Sequence, residues 1–168
     1  MRVRLYSIQG LPSGRVSVMA RPRGGDWLLD EVKDLRESGV DVLVSLLTFA
    51  EVSEFDLTEE SAFCHNQGIA YFSFPIIDRS VPPFSAHTFT FLDQLKTHLL
   101  DGKHIVFHCR QGLGRAVLMA ASLLVLIDFS PNQAFDLLSN ARGCPVPETE
   151  EQWAWVVAFH RSQNHVSD

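Results

Sequence analysis

A central, largely parallel β-sheet of about four to five strands, flanked by helices, is the α/β fold class this sequence predicts. Three observations carry that expectation. Strand-like apolar runs alternate with helix-period segments along the 168 residues. Strands separated by helices imply crossover connections and a sheet covered on both faces. The run His104-Ile105-Val106-Phe107-His108 reads as a buried strand and leads through glycines into residues 113–129, apolar enough for a buried helix.

In chain order, residues 3–8 and 15–20 read as two early strands joined by a turn at Gly10 to Gly14. Asp26 is the expected cap of a helix whose face carries Leu28, Leu29, Val32 and Leu35 and which Gly39 stops. Residues 40–47 form the next expected strand. Thr48-Phe49-Ala50-Glu51 has capping-box spacing for a short helix, and Thr58 is the expected cap of another ending near Gly68. Residues 69–76 are a further strand, followed by Asp78-Arg79-Ser80-Val81-Pro82-Pro83, a loop by its two prolines and lack of periodicity. Ser85 starts a helix with Phe89, Leu92, Leu95 and Leu99 on one face and Gly102 past its end. After the cysteine strand and its helix, Ser130-Pro131 begins a helix that Gly143 ends, and Thr149 begins the last, through about Phe159. Trp153, Trp155 and Phe159 read as core and interface residues of that helix.

Composition bounds the function. A chain of this length with 46% hydrophobic residues has room for a substantial core and is read as one domain, 1–168. Its longest apolar stretch, residues 116–127, falls short of the roughly 20 residues of a membrane span. Met1-Arg2-Val3-Arg4 leads into alternation and not into a signal-peptide core. Three cysteines, one of them expected as a thiolate, favour a reducing cytoplasm. A formal charge of −6 disfavours nucleic acid and anionic membranes as general partners.

The chemistry concentrates in His108-Cys109-Arg110-Gln111-Gly112-Leu113-Gly114-Arg115. The loop opens onto a helix N-terminus, where unpaired N–H groups and the macrodipole suit a dianion. Gly112 and Gly114 let those N–H groups, from Arg110 to Arg115, converge on one point. Thiols beside a cation at such a terminus act as thiolate nucleophiles, which makes Cys109 the candidate to attack phosphorus. Arg115 supplies the cation and a planar fork for two phosphoryl oxygens.

At these residues the chain resembles the cysteine-based protein tyrosine phosphatases, whose signature is His-Cys, five residues, then Arg, and within them the small, atypical dual-specificity branch. The resemblance runs from about Met19 to Phe159. Arg21-Pro22-Arg23-Gly24-Gly25, Val44-Ser45-Leu46-Leu47-Thr48 and Phe74-Pro75-Ile76-Ile77-Asp78 are similar to stretches in bacterial and cyclin-kinase-associated members. It implies a phosphomonoester hydrolase acting on phosphotyrosine, phosphoserine and phosphothreonine in proteins, through a cysteinyl phosphate. Inorganic phosphate, vanadate or sulfate would be ligands of the loop. No cofactor and no metal are expected: His104 and His108 lie four apart on a core strand, which rarely offers zinc an open tetrahedral site.

The resemblance also points to an acid on a mobile loop about thirty residues before the cysteine, and Asp78 fits. Apolar Phe74, Ile76 and Ile77 are expected to surround it and favour its protonated form. Ala116 stands where the family usually has Ser or Thr. Gln152 is either the glutamine that some relatives use to place the hydrolytic water or the partner of Thr149 in a capping box. His108 is expected to steady the loop by hydrogen bonds. Cys64 is either a disulfide partner for Cys109 or, as buried cysteines more often are, a packing residue. Phosphoinositide hydrolysis, rhodanese-like sulfur transfer and non-catalytic phosphate binding stand as alternatives.

Overall fold

The computed structural model describes residues 3–166; Met1-Arg2 of the N-terminal run lies outside the described residues. One five-stranded sheet, ordered β1-β2-β5-β3-β4, is built from β1 (Tyr6–Ser7), β2 (Arg15–Ala20), β3 (Val42–Ser45), β4 (Ala70–Ser73) and β5 (His104–Cys109). All neighbours pair in parallel except β1 with β2, in agreement with the expected class. β5 has a strand on either side and all six of its residues buried, which accounts for its near-continuous apolar run.

Among the described residues, seven α-helices cover the sheet: α1 (Leu28–Glu37), α2 (Phe49–Glu54), α3 (Glu60–Asn66), α4 (Ala86–Leu100), α5 (Arg115–Leu126), α6 (Pro131–Arg142) and α7 (Glu150–Val166). Two cores result. In one, Leu28, Val32 and Leu35 of α1 and Cys64 of α3 pack with Met19, Leu43 and Val106. In the other, α4 to α7 pack over Val18, Val44, Ile105 and Phe107. Strand alternation explains the division, since Val106 and Phe107 point to opposite faces. α5 is apolar all round because α4, α6, α7, β2 and β5 enclose it.

Several element ends differ from expectation, each for a local reason. β1 shrinks to two residues, and the Val3 N–H donates to the Asp34 carboxylate at 2.6 Å instead of to a strand. β3 and β4 are shorter than their apolar runs, although Phe74 and Ile76 still donate to Ser45 and Leu46 carbonyls at 2.8 and 3.0 Å. Asp26 lies inside a 3-10 turn, Gly25–Trp27, and α1 begins after it without a side-chain cap. Thr58 caps nothing; α3 begins at Glu60, which is fully buried. α7 continues to Val166, and its Trp153 is 43% exposed while Trp155 and Phe159 are buried. The two capping boxes read at Thr48 and Thr149 both form.

Candidate active site

Cys109 ends β5 and Arg115 begins α5, so residues 110–114 bridge a strand and a helix that pack together. The turn has little freedom. Gly112 has φ +72°, and a Cβ there would stand 2.7 Å from the carbonyl carbon and oxygen of Met19, so glycine is required both for conformation and for close approach. A Cβ on Gly114 would lie 2.8 Å from Glu148 Oε2 and Gln152 Nε2, so the loop's exit is pressed against the start of α7.

A cavity of about 260 Å³ opens over this loop. Cys109, Arg110, Gln111, Leu113, Gly114, Arg115 and Asp78 line it, joined by Arg79 and Glu148. The residues anticipated as nucleophile, cation and acid therefore meet in one place, at the carboxyl edge of the sheet. Gly112, His108 and Gln152 are not part of the lining.

Arg115 is only 1% exposed and is held on three sides. Its Nη1 donates to Glu51 Oε1 at 2.7 Å and to the Ile76 carbonyl at 2.8 Å. Its Nη2 donates to Glu51 Oε2 at 2.9 Å and to Asp78 Oδ1 at 3.0 Å. Burial works against the charged guanidinium, but the hydrogen-bonded Glu51, with Cys109 and Asp78, outweighs it and holds the pKa above its ordinary value. Burial likewise pushes the Glu51 carboxyl up, and the bonds from Arg115 and Thr48 more than reverse this, leaving it below the ordinary range.

Glu51 is the residue at this site that sequence reading missed. Its Oε1 also accepts from the Thr48 N–H at 3.0 Å, as a capping-box glutamate should, and that local role explained it fully. Nothing near it in sequence signals a partner 64 residues on.

The surroundings of Asp78 correct the expectation of an apolar site. Ile77 is 73% exposed, Phe74 and Ile76 are buried in the core, and the Asp78 carboxylate faces a guanidinium. The direction the chain takes after β4 sends the apolar neighbours elsewhere. This loop is tied to α7 as well: Arg79, at φ +63°, pairs with Glu148 at 2.9 Å, and Gln152 Nε2 donates to the Ser80 carbonyl at 3.2 Å. The amide of Gln152 thus caps α7 and tethers the Asp78 loop, and the residue is fully buried.

His108 does not bond the phosphate loop. Its Nε2 meets Glu60 Oε1 at 3.1 Å, which ties β5 to α3 on the opposite face of the sheet, because alternation turns His108 away from the side that Cys109 faces. Cys64 packs in that same opposite core, apart from the core that holds Cys109. Burial, with Glu60 adding, pushes the Cys64 thiol up to about 12, as fits a packing residue.

Comparison with known proteins bears on this geometry. The profile of a family described as "Polymorphic toxin system, DSP-PTPase phosphatase" matches residues 17–128. Cyclin-dependent kinase inhibitor 3 of Rattus norvegicus is 28% identical over 131 residues, which is 77% of this chain and 61% of that protein. The human protein of that name is 28% identical over the same shares. The chain thus spans about three fifths of the length of the curated relatives it matches. Among solved structures, kinase-associated phosphatase with its catalytic cysteine replaced by serine superposes with a TM-score of 0.84 at 21% identity, covering 98% of this chain and 97% of that one. PTPMT1 in complex with PI(5)P gives a TM-score of 0.77 at 18% identity, covering 91% and 94%. At these identities the two structures speak for the fold.

Proposed function

Because the chain belongs to the DSP-PTPase phosphatase family of polymorphic toxin systems, we propose that it hydrolyses phosphate monoesters on proteins, phosphotyrosine together with phosphoserine and phosphothreonine. The observation that carries this reading is the meeting of Cys109, Arg115 and Asp78 around one cavity at the end of β5. A phosphate-binding module has no use for a nucleophile and an acid together, and sulfur transfer has no use for Asp78.

The reaction follows from the placement. Both terminal nitrogens of Arg115 are fully engaged, and Asp78 holds Nη2. The phosphoryl group takes Asp78's place at Nη2 and the free Nε–H, while Glu51 and the Ile76 carbonyl keep the fork oriented. Cys109 sulfur then attacks phosphorus in line, forming the S–P bond as the ester P–O bond breaks, and protonated Asp78 gives its proton to the departing oxygen. In the second step water attacks phosphorus, the S–P bond breaks, and ionised Asp78 takes the proton from water. Phosphate leaves and the thiolate is restored.

Residues 1–168 are read as one catalytic unit, because every element packs on the two cores of a single sheet. A cytoplasmic setting belongs to the same reading: Cys64, Cys109 and Cys144 are free, and a thiolate nucleophile needs reducing surroundings. No helix of the described residues is long and apolar enough to cross a membrane. Hydrolysis of p-nitrophenyl phosphate in the presence of a chelator tests the assignment. Cys109→Ser abolishes it, and Asp78→Asn slows it by about 100-fold or more while leaving vanadate inhibition intact. Persulfide formation with thiosulfate, or full activity in Cys109→Ser, refutes it.

A further inference from the structure

Two arginines beside the cavity have no role in the reaction just described. Arg21 follows β2 and Arg110 follows β5, and these strands run parallel with Ala20 opposite Cys109. The two residues therefore leave the carboxyl edge of the sheet side by side, and the Arg21 N–H donates to the Arg110 carbonyl at 3.3 Å. Both guanidiniums lie over one ring, that of Phe55, with Cζ 3.9 Å from its centroid for Arg21 and 5.2 Å for Arg110. These distances are within cation–π range.

Phe55 closes α2, the helix whose Glu51 grips Arg115, so the ring is anchored to the same element as the catalytic fork. It is also locked from the other side. A Cβ on Gly24 would stand 1.9 Å from the Phe55 carbonyl oxygen, and the Gly25 N–H donates to the Asp56 carbonyl at 3.0 Å. The segment that carries Arg21 is thus bolted to the turn that carries Phe55.

Charge pairing separates these two arginines from four others. Arg23, Arg36, Arg79 and Arg115 each have a carboxylate partner. Among the described residues, neither Arg21 nor Arg110 has one, in a chain with 20 acidic against 14 basic residues. Stacking occupies the flat face of a guanidinium and leaves uncovered its N–H edge, which binds phosphoryl oxygens in pairs; on Arg21 one nitrogen of that edge, Nη1, also donates to the Pro22 carbonyl at 3.1 Å. Arg110 lines the cysteine cavity, and Arg21 borders a second cleft together with Met19 and Ala20.

We propose that Arg110 and Arg21, seated on Phe55, form a second anion subsite that selects protein substrates carrying a second phosphorylated residue within one or two positions of the one being cleaved. The inference rests on the phosphatase reading and names its substrate class. Because Arg110 directly follows Cys109, the second anion belongs within one or two extended residues of the first, at about 3.5 Å each. A phosphoryl group suits two guanidinium forks better than a carboxylate, since it offers three oxygens and a charge of about −1.5 to −2. A peptide is favoured over a phosphorylated lipid because a chain of net charge −6 is repelled by an anionic bilayer.

The test compares kcat/KM for matched singly and doubly phosphorylated peptides, with p-nitrophenyl phosphate as a substrate lacking a second anion. The wild-type chain is expected to prefer the doubly phosphorylated peptide by about tenfold or more. Arg21→Gln removes most of that preference, and Phe55→Leu, which takes away the shared platform, weakens it. Equal kcat/KM for the two peptides, or a preference that Arg21→Gln leaves intact, overturns the subsite. Faster turnover of phosphatidylinositol bisphosphate in mixed vesicles than of either peptide, lost in Arg21→Gln, overturns the protein substrate in favour of a lipid. Failure to hydrolyse p-nitrophenyl phosphate overturns the phosphatase reading itself, whereas hydrolysis without peptide preference overturns only the subsite.

Discussion

Replacing Glu51 by glutamine tests the link between the short helix α2 and the proposed catalytic cation, Arg115. The carboxylate serves four donors: Thr48 N–H and hydroxyl and Arg115 Nη1 at Oε1, and Arg115 Nη2 at Oε2. An amide has one accepting oxygen. If that oxygen keeps the cap and Nη1, its NH2 group is set against Nη2, donor to donor; if it turns over, the cap is lost. Either way the 1% exposed guanidinium keeps only Asp78 and one or two neutral oxygens as partners. Weakening a buried ion pair on one side, with a charge-assisted bond lost, costs about 3 kcal/mol. For a chain of this size that lowers Tm by roughly 6–12 °C. The fork also loses its orientation toward phosphorus, which lowers kcat/KM by about 100-fold. Calorimetry and p-nitrophenyl phosphate kinetics read the two effects separately. Tm within about 1 °C of wild type together with kcat/KM within about twofold refutes the reasoning, since the first is at most about a sixth of the expected shift and the second about a fiftieth of the expected fold-change.

Two other predictions concern turnover and acid. Ala116, fully buried on the first turn of α5, lacks a hydroxyl that could donate to the departing thiolate in the proposed second step, so Ala116→Ser is expected to raise steady-state turnover more than the initial burst; an unchanged rate with no burst in either form argues against this. His104 is held down to about 4 by burial, with Arg15 adding and Asp41 opposing, and its Nε2 bonds Ser17 Oγ at 2.7 Å. The unfolded histidine binds a proton below about 6.5 while the folded one does not until about 4. Unfolding therefore takes up protons in that window, and stability falls as pH drops from about 6.5 to about 4, by about 2 kcal/mol after screening. A Tm profile over that range that is flat, or identical in His104→Asn, contradicts this.

What could be read from the sequence was whatever is local along the chain. Strand, glycine loop and apolar helix follow one another without a gap, so Cys109 and Arg115 could be placed from residues 104–129 alone. Asp78 was reachable through sequence order and its proline-rich surroundings, but its partner was not, because the exposure of Ile77 depends on where the loop turns. Glu51 was hidden by a sufficient local explanation. The Arg21, Arg110 and Phe55 stack depends on strand register, which puts Ala20 opposite Cys109, and no periodicity within β2 or β5 reveals that pairing. The strand ends were overrun for a related reason: apolarity continues past residue 45 because residues 46 and 47 still face the two cores, although the ladder has stopped.

Arg115 explains why the site needs a second carboxylate besides Asp78, the proposed acid. If Asp78 alone balanced the buried guanidinium, substrate arrival would leave the fork held only by the Ile76 carbonyl and the phosphoryl group, with no fixed carboxylate against it. Glu51 prevents this by bonding both terminal nitrogens at once, 2.7 and 2.9 Å away, from a helix fixed by its own capping box. Asp78 then becomes the exchangeable partner. It is the more exposed of the two, 42% against 10%, so it can leave Nη2 without stranding a charge in the core. It does not travel far, because Arg79 is paired with Glu148 and Ser80 is bonded by Gln152. The displaced carboxyl therefore stays at the cavity, where the proposed reaction needs it to protonate the leaving oxygen. In the proposed reaction, binding and acid recruitment are thus one exchange at a single nitrogen of Arg115.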